Sequence, residues 1–244
     1  PTAPVISHNL RDVNGKLYSN ASSIRVDVEV FEDLKKLYYT LNNGDSVPYE
    51  VVAGVHSYTL ALSSGINMFN FTALDYAGNP VTSETITVIY DGSVPSFSNR
   101  HPVPNAVLGR TAPDAVEIWT SAMSGIDATS VTMTINGNTI PNENIEKVDS
   151  AGTIIFRCGD YRNCVDSVQW RYRNETNGQS PTNYVSVSVK SNAGGTNSTT
   201  WNFDLDMTAT SLDSWAVNHQ SYTLDQIPYI YDHTPHMAFT FSEY

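Results

Sequence analysis

Three oxygen-bearing side chains stand at loop positions where they could bind a hard cation. Asp75 and Asn79 flank the turn Asp75-Tyr76-Ala77-Gly78-Asn79-Pro80, and Asp91 opens a linker that contains proline. Calcium prefers carboxylate and carbonyl oxygens, which loops at domain junctions supply. The sequence therefore predicts a calcium site that uses Asp75, Asn79 or Asp91, and it indicates no other cofactor. The alternative is that Asp75 and Asn79 only bind turn amides, as Asx residues do.

The two cysteines, Cys158 and Cys164, lie close together in the run FRCGDYRNCVD. A redox pair or a zinc site more usually shows C-x-x-C spacing with further ligands elsewhere. The residues between them favour a loop, since Gly159, Asp160 and Asn163 are loop formers. We therefore predict a disulfide that fixes this loop and stabilises it by about 2 kcal/mol in the loop-entropy model. Two free thiols are the alternative.

Asparagines at N-x-S/T sequons are candidates for N-glycosylation. The sequons are Asn20, Asn70, Asn174 and Asn197. A chain this rich in Asn, Ser and Thr acquires such sequons by chance, so their number indicates nothing. Their positions are more informative. If Phe69 and Phe71 face a core, Asn70 between them faces solvent, and the other three asparagines fall in turns.

The motifs of common enzyme classes are missing from the sequence. It has no G-x-S-x-G elbow, no H-E-x-x-H pair, no phosphate loop and no dinucleotide fingerprint. Nothing selects a pair of carboxylates for glycoside hydrolysis. The net charge is -12 with only 13 Lys and Arg, which argues against nucleic acid because phosphate contacts need cations. We expect a non-enzymatic protein.

The elements that must position these residues are β-strands, because apolar side chains recur with a period of two. In Ser23–Val30, four apolar residues alternate with polar ones. Further strands are predicted at Val5–Ile6, Lys36–Leu41, Pro48–Val52, Ser57–Leu62, Ile66–Asp75 and Glu84–Tyr90. About seven short strands in roughly 90 residues predict an immunoglobulin-like β-sandwich.

A second unit repeats this plan. Its predicted strands are Ala115–Thr120, Val131–Ile135, Thr153–Arg157, Val168–Tyr172, Tyr184–Val189 and Thr200–Leu205. The turn at Ala77-Gly78 in the first unit corresponds to the turn at Ala193-Gly194 in the second, as expected for an internal repeat. We therefore predict an all-β protein of tandem immunoglobulin-like β-sandwich domains. The predicted domains are 1–92 and 93–206, followed by a strand-containing extension at 207–244.

The run INMFNFTALDYAGN at Ile66–Asn79 resembles the F-strand and turn of bacterial Ig-like domains. Ser124–Val131, followed by Asn136-Gly137, resembles the early strands of the same domain type. Tandem domains of this kind occur in archaeal and bacterial surface-layer proteins, adhesins, secreted glycanases and extracellular filaments. The resemblance implies an extracellular, cell-surface location and a role as a structural building block of a surface layer or filament. The alternative is an adhesin or a carbohydrate-binding accessory module. Other copies of the chain are the implied partners, and glycans are further candidates.

The extension at 207–244 is too short for a third sandwich, yet it contains a strand signal. Met237, Phe239 and Phe241 alternate with polar or small residues. A two-strand ribbon alone is marginal in water, so this apolar face needs a partner. If the chain ends at Tyr244, we expect these residues to add a strand to a sheet edge of a neighbouring copy, which would propagate assembly. A truncated third domain is the alternative.

No run of apolar residues approaches the roughly 18 needed to span a bilayer. The sequence also shows no initiator Met and no basic-then-apolar leader. Pro1 is therefore expected to be a processed terminus or the edge of a fragment, with any membrane anchor outside these residues.

Overall fold

The computed structural model describes residues 1–45, 49–109, 112–159, 164–172, 182–206, 210–217, 220–222 and 237–243, the last three ranges as backbone strands only. The regular structure of these residues is β-strand, apart from short 3-10 turns at Asn142–Asn144 and Val165–Ser167. The predicted all-β fold class is therefore confirmed. No helix in the described ranges is long and apolar enough to cross a membrane.

The first sandwich, residues 5–90, consists of two sheets. Its strands are β1 (Val5–His8), β2 (Arg11–Val13), β3 (Lys16–Ser19), β4 (Ser23–Val30), β5 (Leu34–Leu41), β6 (Gly44–Asp45), β7 (Tyr49–Val51), β8 (Gly54–Ala61), β9 (Gly65–Leu74), β10 (Pro80–Thr82) and β11 (Ile86–Tyr90). One sheet has the order β1-β4-β8, and the other has the order β2-β3-β11-β9-β5-β6. The strands β10 and β7 pair with β9 and β5.

The second sandwich, residues 96–205, has the same plan. Its strands are β12 (Ser96–His101), β13 (Ala106–Leu108), β14 (Ala115–Ser121), β15 (Ile126–Ile135), β16 (Asn138–Ile140), β17 (Glu146–Ser150), β18 (Thr153–Gly159), β19 (Thr182–Ser191) and β20 (Thr196–Leu205). The sheets are β12-β14-β18-β17 and β13-β20-β19-β15-β16. In both sandwiches an early strand pairs in parallel with the last one, β3 with β11 and β13 with β20.

Each sandwich encloses a separate apolar core, and strand alternation explains which residues form it. In β4 the residues Ile24, Val26, Val28 and Val30 are at most 4% exposed, while the polar residues between them are more exposed. In β9, Phe69 and Phe71 are at most 1% exposed. Phe71 contacts the rings of Tyr39 and Tyr58 with centroid distances of 5.8 and 5.1 Å. The burial of these apolar side chains is the main stabilising contribution to each sandwich.

The strand predicted at Val168–Tyr172 is wrong, because the structure has an irregular segment there. Its alternating apolar residues pack against the core of the second sandwich, although the segment pairs with no neighbouring strand among the described residues. The Trp170 ring lies 5.9 Å from that of Phe203, and Trp170 Nε1 donates to the Val165 carbonyl oxygen at 3.1 Å. The side-chain amide of Asn183 binds the backbone N–H and C=O of Arg171 at 2.9 and 2.8 Å. A side chain therefore satisfies backbone groups that a neighbouring strand would otherwise bind.

A fifth sheet follows the second sandwich, with the order β22-β21-β23. Its strands are β21 (Thr210–Val217), β22 (Gln220–Tyr222) and β23 (Met237–Glu243). No pairing among the described strands joins the sheets of residues 5–90, 96–205 and 210–243. The predicted division at 92/93 and 206/207 falls between these groups of sheets, and the division into domains stays a prediction.

Candidate functional site at the junction of the two sandwiches

Asp91 lies directly after β11, where the chain leaves the first sandwich, and it is 0% exposed. Its Oδ1 atom accepts hydrogen bonds from the backbone N–H of Ser93 at 2.9 Å and from the Ser93 hydroxyl at 2.5 Å. Its Oδ2 atom accepts one from the backbone N–H of Ser124 at 2.8 Å. The backbone N–H of Asp91 donates to the carbonyl oxygen of Ser19 at 3.0 Å. We call Asp91, Ser93 and Ser124 the Asp91 clamp, since the carboxylate joins the linker to the second sandwich.

Ser124 is a firm anchor for this clamp because two neighbouring residues bind it in turn. It precedes β15 and is 6% exposed. Its carbonyl oxygen accepts a hydrogen bond from Asn192 Nδ2 at 2.9 Å, and its hydroxyl accepts one from the backbone N–H of Ala193 at 3.3 Å. Asn192 and Ala193 belong to the turn between β19 and β20. The clamp is therefore connected to two turns of the second sandwich.

The turn between β19 and β20 also touches the linker directly. A Cβ atom at Gly195 would lie 2.5 Å from the carbonyl oxygen of Ser93. Any other residue at position 195 would therefore push the turn away from the linker. At the far end of the linker, Asn197 Nδ2 donates to the Pro95 carbonyl oxygen at 2.8 Å. The second sandwich thus approaches the linker closely at Ser93 and binds it at Pro95.

An ion pair adds a second connection between the sandwiches. Arg11 Nη2 in β2 lies 2.8 Å from Asp127 Oδ2 in β15, and the two side chains are 42% and 17% exposed. Asp127 Oδ1 accepts hydrogen bonds from Thr129, through its hydroxyl at 2.6 Å and its N–H at 3.2 Å. A partly exposed pair of this kind contributes only about 0–1 kcal/mol. Its main effect is therefore on orientation.

The electrostatics of the junction favour ionised carboxylates. Burial raises the pKa of Asp91, but hydrogen bonds from Ser93 and Ser124 outweigh burial and hold the pKa below its ordinary value. The pKa of Asp127 is lowered in the same way, since hydrogen bonds from Thr129 and Arg11 outweigh the effect of burial. Both groups are therefore anionic at neutral pH, and donors from the adjoining chain segments satisfy them.

The three predicted calcium ligands fall into two separate hydrogen-bonded groups, one with Asp75 and Asn79 and the other with Asp91. Asp75 binds Asn79, whose backbone N–H and Nδ2 atoms donate to its two carboxylate oxygens, each at 2.8 Å. The side-chain hydrogen bond from Asn79 is the main reason why the pKa of Asp75 is lowered. Asp91 instead binds Ser93 and Ser124. No group of three or more His, Cys, Asp or Glu in the described part of the chain could hold a metal ion. Calcium binding by Asp75, Asn79 or Asp91 stays a prediction.

Cys158 and Cys164 form the disulfide that their spacing predicted. Their Cα atoms are 5.3 Å apart, and both residues are 0% exposed within the core of the second sandwich. The backbone N–H of Cys164 also donates to the carbonyl oxygen of Gly159 at 3.1 Å. The bond therefore fastens the segment after β18 to the core, in addition to closing a loop.

The sequons differ in how accessible their amide nitrogens are. Asn20 is exposed and Asn70 is half-buried. Asn197 lies in β20 and not in the predicted turn. It donates its Nδ2, the atom that would carry a glycan, to the Pro95 carbonyl oxygen of the linker. Asn174 lies outside the described residues. Glycosylation at any of these positions stays a prediction, and a glycan on Asn197 would have to replace a linker contact.

The proposed assembly residues Met237, Phe239 and Phe241 lie in β23. This strand pairs antiparallel with β21 of the same chain, where their backbone partners are Val217, Trp215 and Leu212. One edge of β23 is therefore occupied within the chain, as a truncated third domain would require. The other edge has no partner among the described strands. Strand addition to a neighbouring copy stays a prediction that would have to use this second edge.

Sequence reasoning identified Asp91 as a junction residue but missed its partners. Ser93 follows Asp91 in a local Asx pattern, which a closer reading of Asp91-Gly92-Ser93 could have found. Ser124 and the pair of Arg11 with Asp127 carry no local signal, because their partners lie far away along the chain.

Comparison with known proteins found no matching family model and no matching curated sequence. Among solved structures, the titin I-band fragment I67–I69 is similar with a TM-score of 0.51 at 11% identity, over 99% of this chain and 88% of that one. The fibronectin(III)-like modules of Clostridium thermocellum CbhA match at a TM-score of 0.40 and 12% identity, over 83% of this chain and 95% of theirs. A bacterial ice-binding adhesin matches at a TM-score of 0.32 and 18% identity, over 84% of this chain and 65% of its own. At these identities the titin likeness shows the fold alone. The chain is a tandem array of immunoglobulin-like β-sandwiches.

Proposed function

We propose that this chain is a rigid structural segment of an extracellular surface protein, in which two sandwiches of fixed relative orientation set a distance within a surface layer or filament. The observation that carries the proposal is the Asp91 clamp. Sandwich domains joined by a short linker move relative to one another by default, unless an interface fixes them. Here a buried carboxylate binds the linker on one side and a turn of the next sandwich on the other.

Further contacts support a stiff junction. The linker carbonyl of Pro95 binds Asn197, and Gly195 allows the backbone of the second sandwich to approach Ser93 closely. Proline fixes its own φ angle and restricts the preceding residue, here Val94. The ion pair of Arg11 with Asp127 connects the two sandwiches at a further point. These contacts involve both ends of the linker, so bending at the junction would break several of them together.

The proposed extracellular location rests on chemistry within the chain. Structural disulfides persist in oxidising compartments, and Cys158 and Cys164 form one within the core. Charged residues make up 16% of the chain, against roughly 25% in ordinary soluble domains. Uncharged polar residues replace them on the strands and turns, as is common in proteins outside the cell.

Other copies of the chain are the proposed partners. The strand β8 is eight residues long and pairs with β4 on one side, with no second partner among the described strands. The strand β23 likewise pairs only with β21 there. Unpaired strand edges present rows of N–H and C=O groups that a neighbouring sheet can bind. We propose that contacts at such edges join subunits in the surface layer or filament.

Small-angle X-ray scattering of the 244-residue chain tests the rigid junction. We expect one relative orientation of the sandwiches to fit the wild-type profile, and a broader set to be needed for Asp91→Ala. The matched control is Asp33→Ala, since among the described residues Asp33 accepts one exposed hydrogen bond, from the Ala53 N–H at 2.9 Å. A wild-type profile that already requires many orientations would overturn the proposal.

Location is tested separately by labelling intact source cells with a membrane-impermeant amine reagent, and an unlabelled chain would contradict a surface position.

The alternative function is that of an adhesin or carbohydrate-binding accessory module. One open groove in the second sandwich, lined by residues that include Trp119, Glu117 and Arg157, favours it. A rigid spacer and a ligand-binding module are compatible, because the groove and the junction use different residues.

A further inference from the structure

An open groove of about 550 Å³ lies on the outer surface of the sheet β12-β14-β18-β17. This volume is within the roughly 300–1,000 Å³ of small-ligand sites. The groove lies in the second sandwich and shares no residue with the Asp91 clamp. Its lining combines the rings of Trp119 and His101 with charged and amide side chains and two apolar residues. The charged and amide side chains are Glu117, Arg157, Arg100, Asp114 and Asn99, and the apolar residues are Val103 and Ala115.

Strand register explains why these side chains meet. In β14, Val116, Ile118 and Thr120 are 0% exposed, so Glu117 and Trp119 point away from the core. Glu117 is paired across the sheet with His101 of β12 on one side and with Arg157 of β18 on the other. The register of β12 shifts between Ser98 and His101, which brings Asn99 and Arg100 into the groove lining. Three strands therefore contribute to one surface.

Contacts within the groove hold the aromatic ring in place. Trp119 Nε1 donates to Glu117 Oε1 at 2.7 Å, and Glu117 Oε2 lies 4.0 Å from Arg157 Nε. Arg100 is held from outside the groove, since its Nη2 donates to the hydroxyl of Thr199 in β20 of the other sheet at 2.9 Å. Trp119 is half-buried, so part of its ring remains exposed to the groove. The indole N–H is satisfied within the protein, which leaves the ring surface for apolar contact.

The charges of the lining select the class of ligand. Arg100 and Arg157 are cationic, and Asp114 and Glu117 are anionic, so the charges of these four side chains sum to zero. His101 also lines the groove, and its imidazole can donate or accept a hydrogen bond. An anionic ligand would meet two carboxylates, and a cationic ligand would meet two guanidinium groups. A neutral ligand with many hydroxyl groups uses both kinds of side chain, since hydroxyls donate to carboxylates and accept from guanidinium groups. The apolar face of a pyranose ring would stack on Trp119.

We propose that this groove is a binding site for a neutral saccharide, with Trp119 as the stacking surface and Glu117, Arg157 and Asp114 as hydrogen-bonding partners of its hydroxyl groups. This site rests on the alternative function proposed above, that of a carbohydrate-binding module, and it is independent of the proposed structural role. Loss of saccharide binding would leave the scattering profile of the junction unchanged, and a flexible junction would leave saccharide binding unchanged.

Isothermal titration of the 244-residue chain tests the proposal. The probes are neutral hexasaccharides of glucose, mannose, xylose or N-acetylglucosamine, together with hexamers of uronic acids. We expect at least one neutral hexamer to bind and the uronic hexamers to bind more weakly. Trp119→Ala should weaken binding by about tenfold or more, because it removes the stacking surface. Arg157→Ala should weaken it by about threefold to tenfold through lost hydrogen bonds.

The matched control is Tyr184→Ala, which removes an aromatic residue that is 49% exposed on the other sheet, and it should bind as the wild type does. Circular dichroism establishes whether each variant is folded. If Trp119→Ala fails to fold, the affinities of Trp119→Phe and Arg157→Ala are measured instead. Wild-type affinity in both folded variants would then overturn the proposal. Failure of every neutral hexamer to bind, preference for the uronic hexamers, or wild-type affinity in folded Trp119→Ala would each overturn the proposal.

Discussion

Replacing Asp91 by alanine removes a carboxylate that accepts three hydrogen bonds while being 0% exposed. The two bonds from Ser93 involve an exposed residue, so water can replace much of that interaction. The bond from Ser124 is different, because Ser124 is 6% exposed and its N–H would be left buried without an acceptor. A hydrogen bond to a charged group contributes about 1.5–3 kcal/mol, and an unsatisfied buried donor costs about 1–3 kcal/mol. We therefore expect Asp91→Ala to lower the free energy of unfolding by about 3 kcal/mol.

The assay is differential scanning calorimetry, which measures the thermal unfolding of the whole chain. Asp33→Ala is the control. A loss of about 3 kcal/mol corresponds to a decrease of at least about 10 °C in the melting temperature of a unit of about 100 residues. Asp33→Ala should cost less than about 1 kcal/mol, since it removes one exposed hydrogen bond. Equal shifts for the two variants would refute the argument that burial of the clamp makes it stabilising.

The same reasoning gives a dependence on pH. Hydrogen bonds hold the pKa of Asp91 below its ordinary value, so the folded state binds a proton at this carboxyl less readily than the unfolded state does. The stabilisation is therefore fully present above the unfolded pKa of about 3.9, and it is lost as the pH falls through the lower folded pKa. Asp91→Asn should remove this part of the acid sensitivity. An identical acid transition in wild type and Asp91→Asn would contradict the assignment.

Three further predictions concern other sites. Intact mass after alkylation without reductant should show no modified thiol, and reduction should destabilise the second sandwich by about 2 kcal/mol; two alkylated thiols in native protein would contradict the disulfide. If Asp75, Asn79 or Asp91 binds calcium, millimolar calcium should raise the melting temperature relative to chelator, whereas an unchanged melt counts against that site. Deletion of Met237–Tyr244 should leave folded monomers that no longer polymerise, as seen by negative-stain microscopy, and normal assembly of the deleted chain would exclude strand addition through β23.

Local alternation was enough to predict much of the fold. The strand predicted at Ser23–Val30 has the same bounds in the structure, because each apolar residue on one face of a half-buried strand faces the core. The disulfide was also local, since Cys158 and Cys164 lie close together along the chain. Alternation failed at Val168–Tyr172, where apolar residues pack against the core without forming a strand. A period of two tells which face of a segment is apolar, but not whether a neighbouring strand is present to pair with it.

The sequence by itself determined the strand-rich fold class, the repeated plan and the position of Asp91 at a junction. Tertiary structure alone decided that Asp91 also binds Ser124, because Ser124 lies 33 residues away along the chain, in the second sandwich. The same holds for Arg11 with Asp127, and for the groove around Trp119, whose lining comes from three strands. Short-range patterns determine which face of a sheet a side chain lies on, because successive side chains of a strand point to opposite faces. Which distant groups it meets depends on strand order, register and the orientation of one sandwich against the next, and no local pattern encodes these.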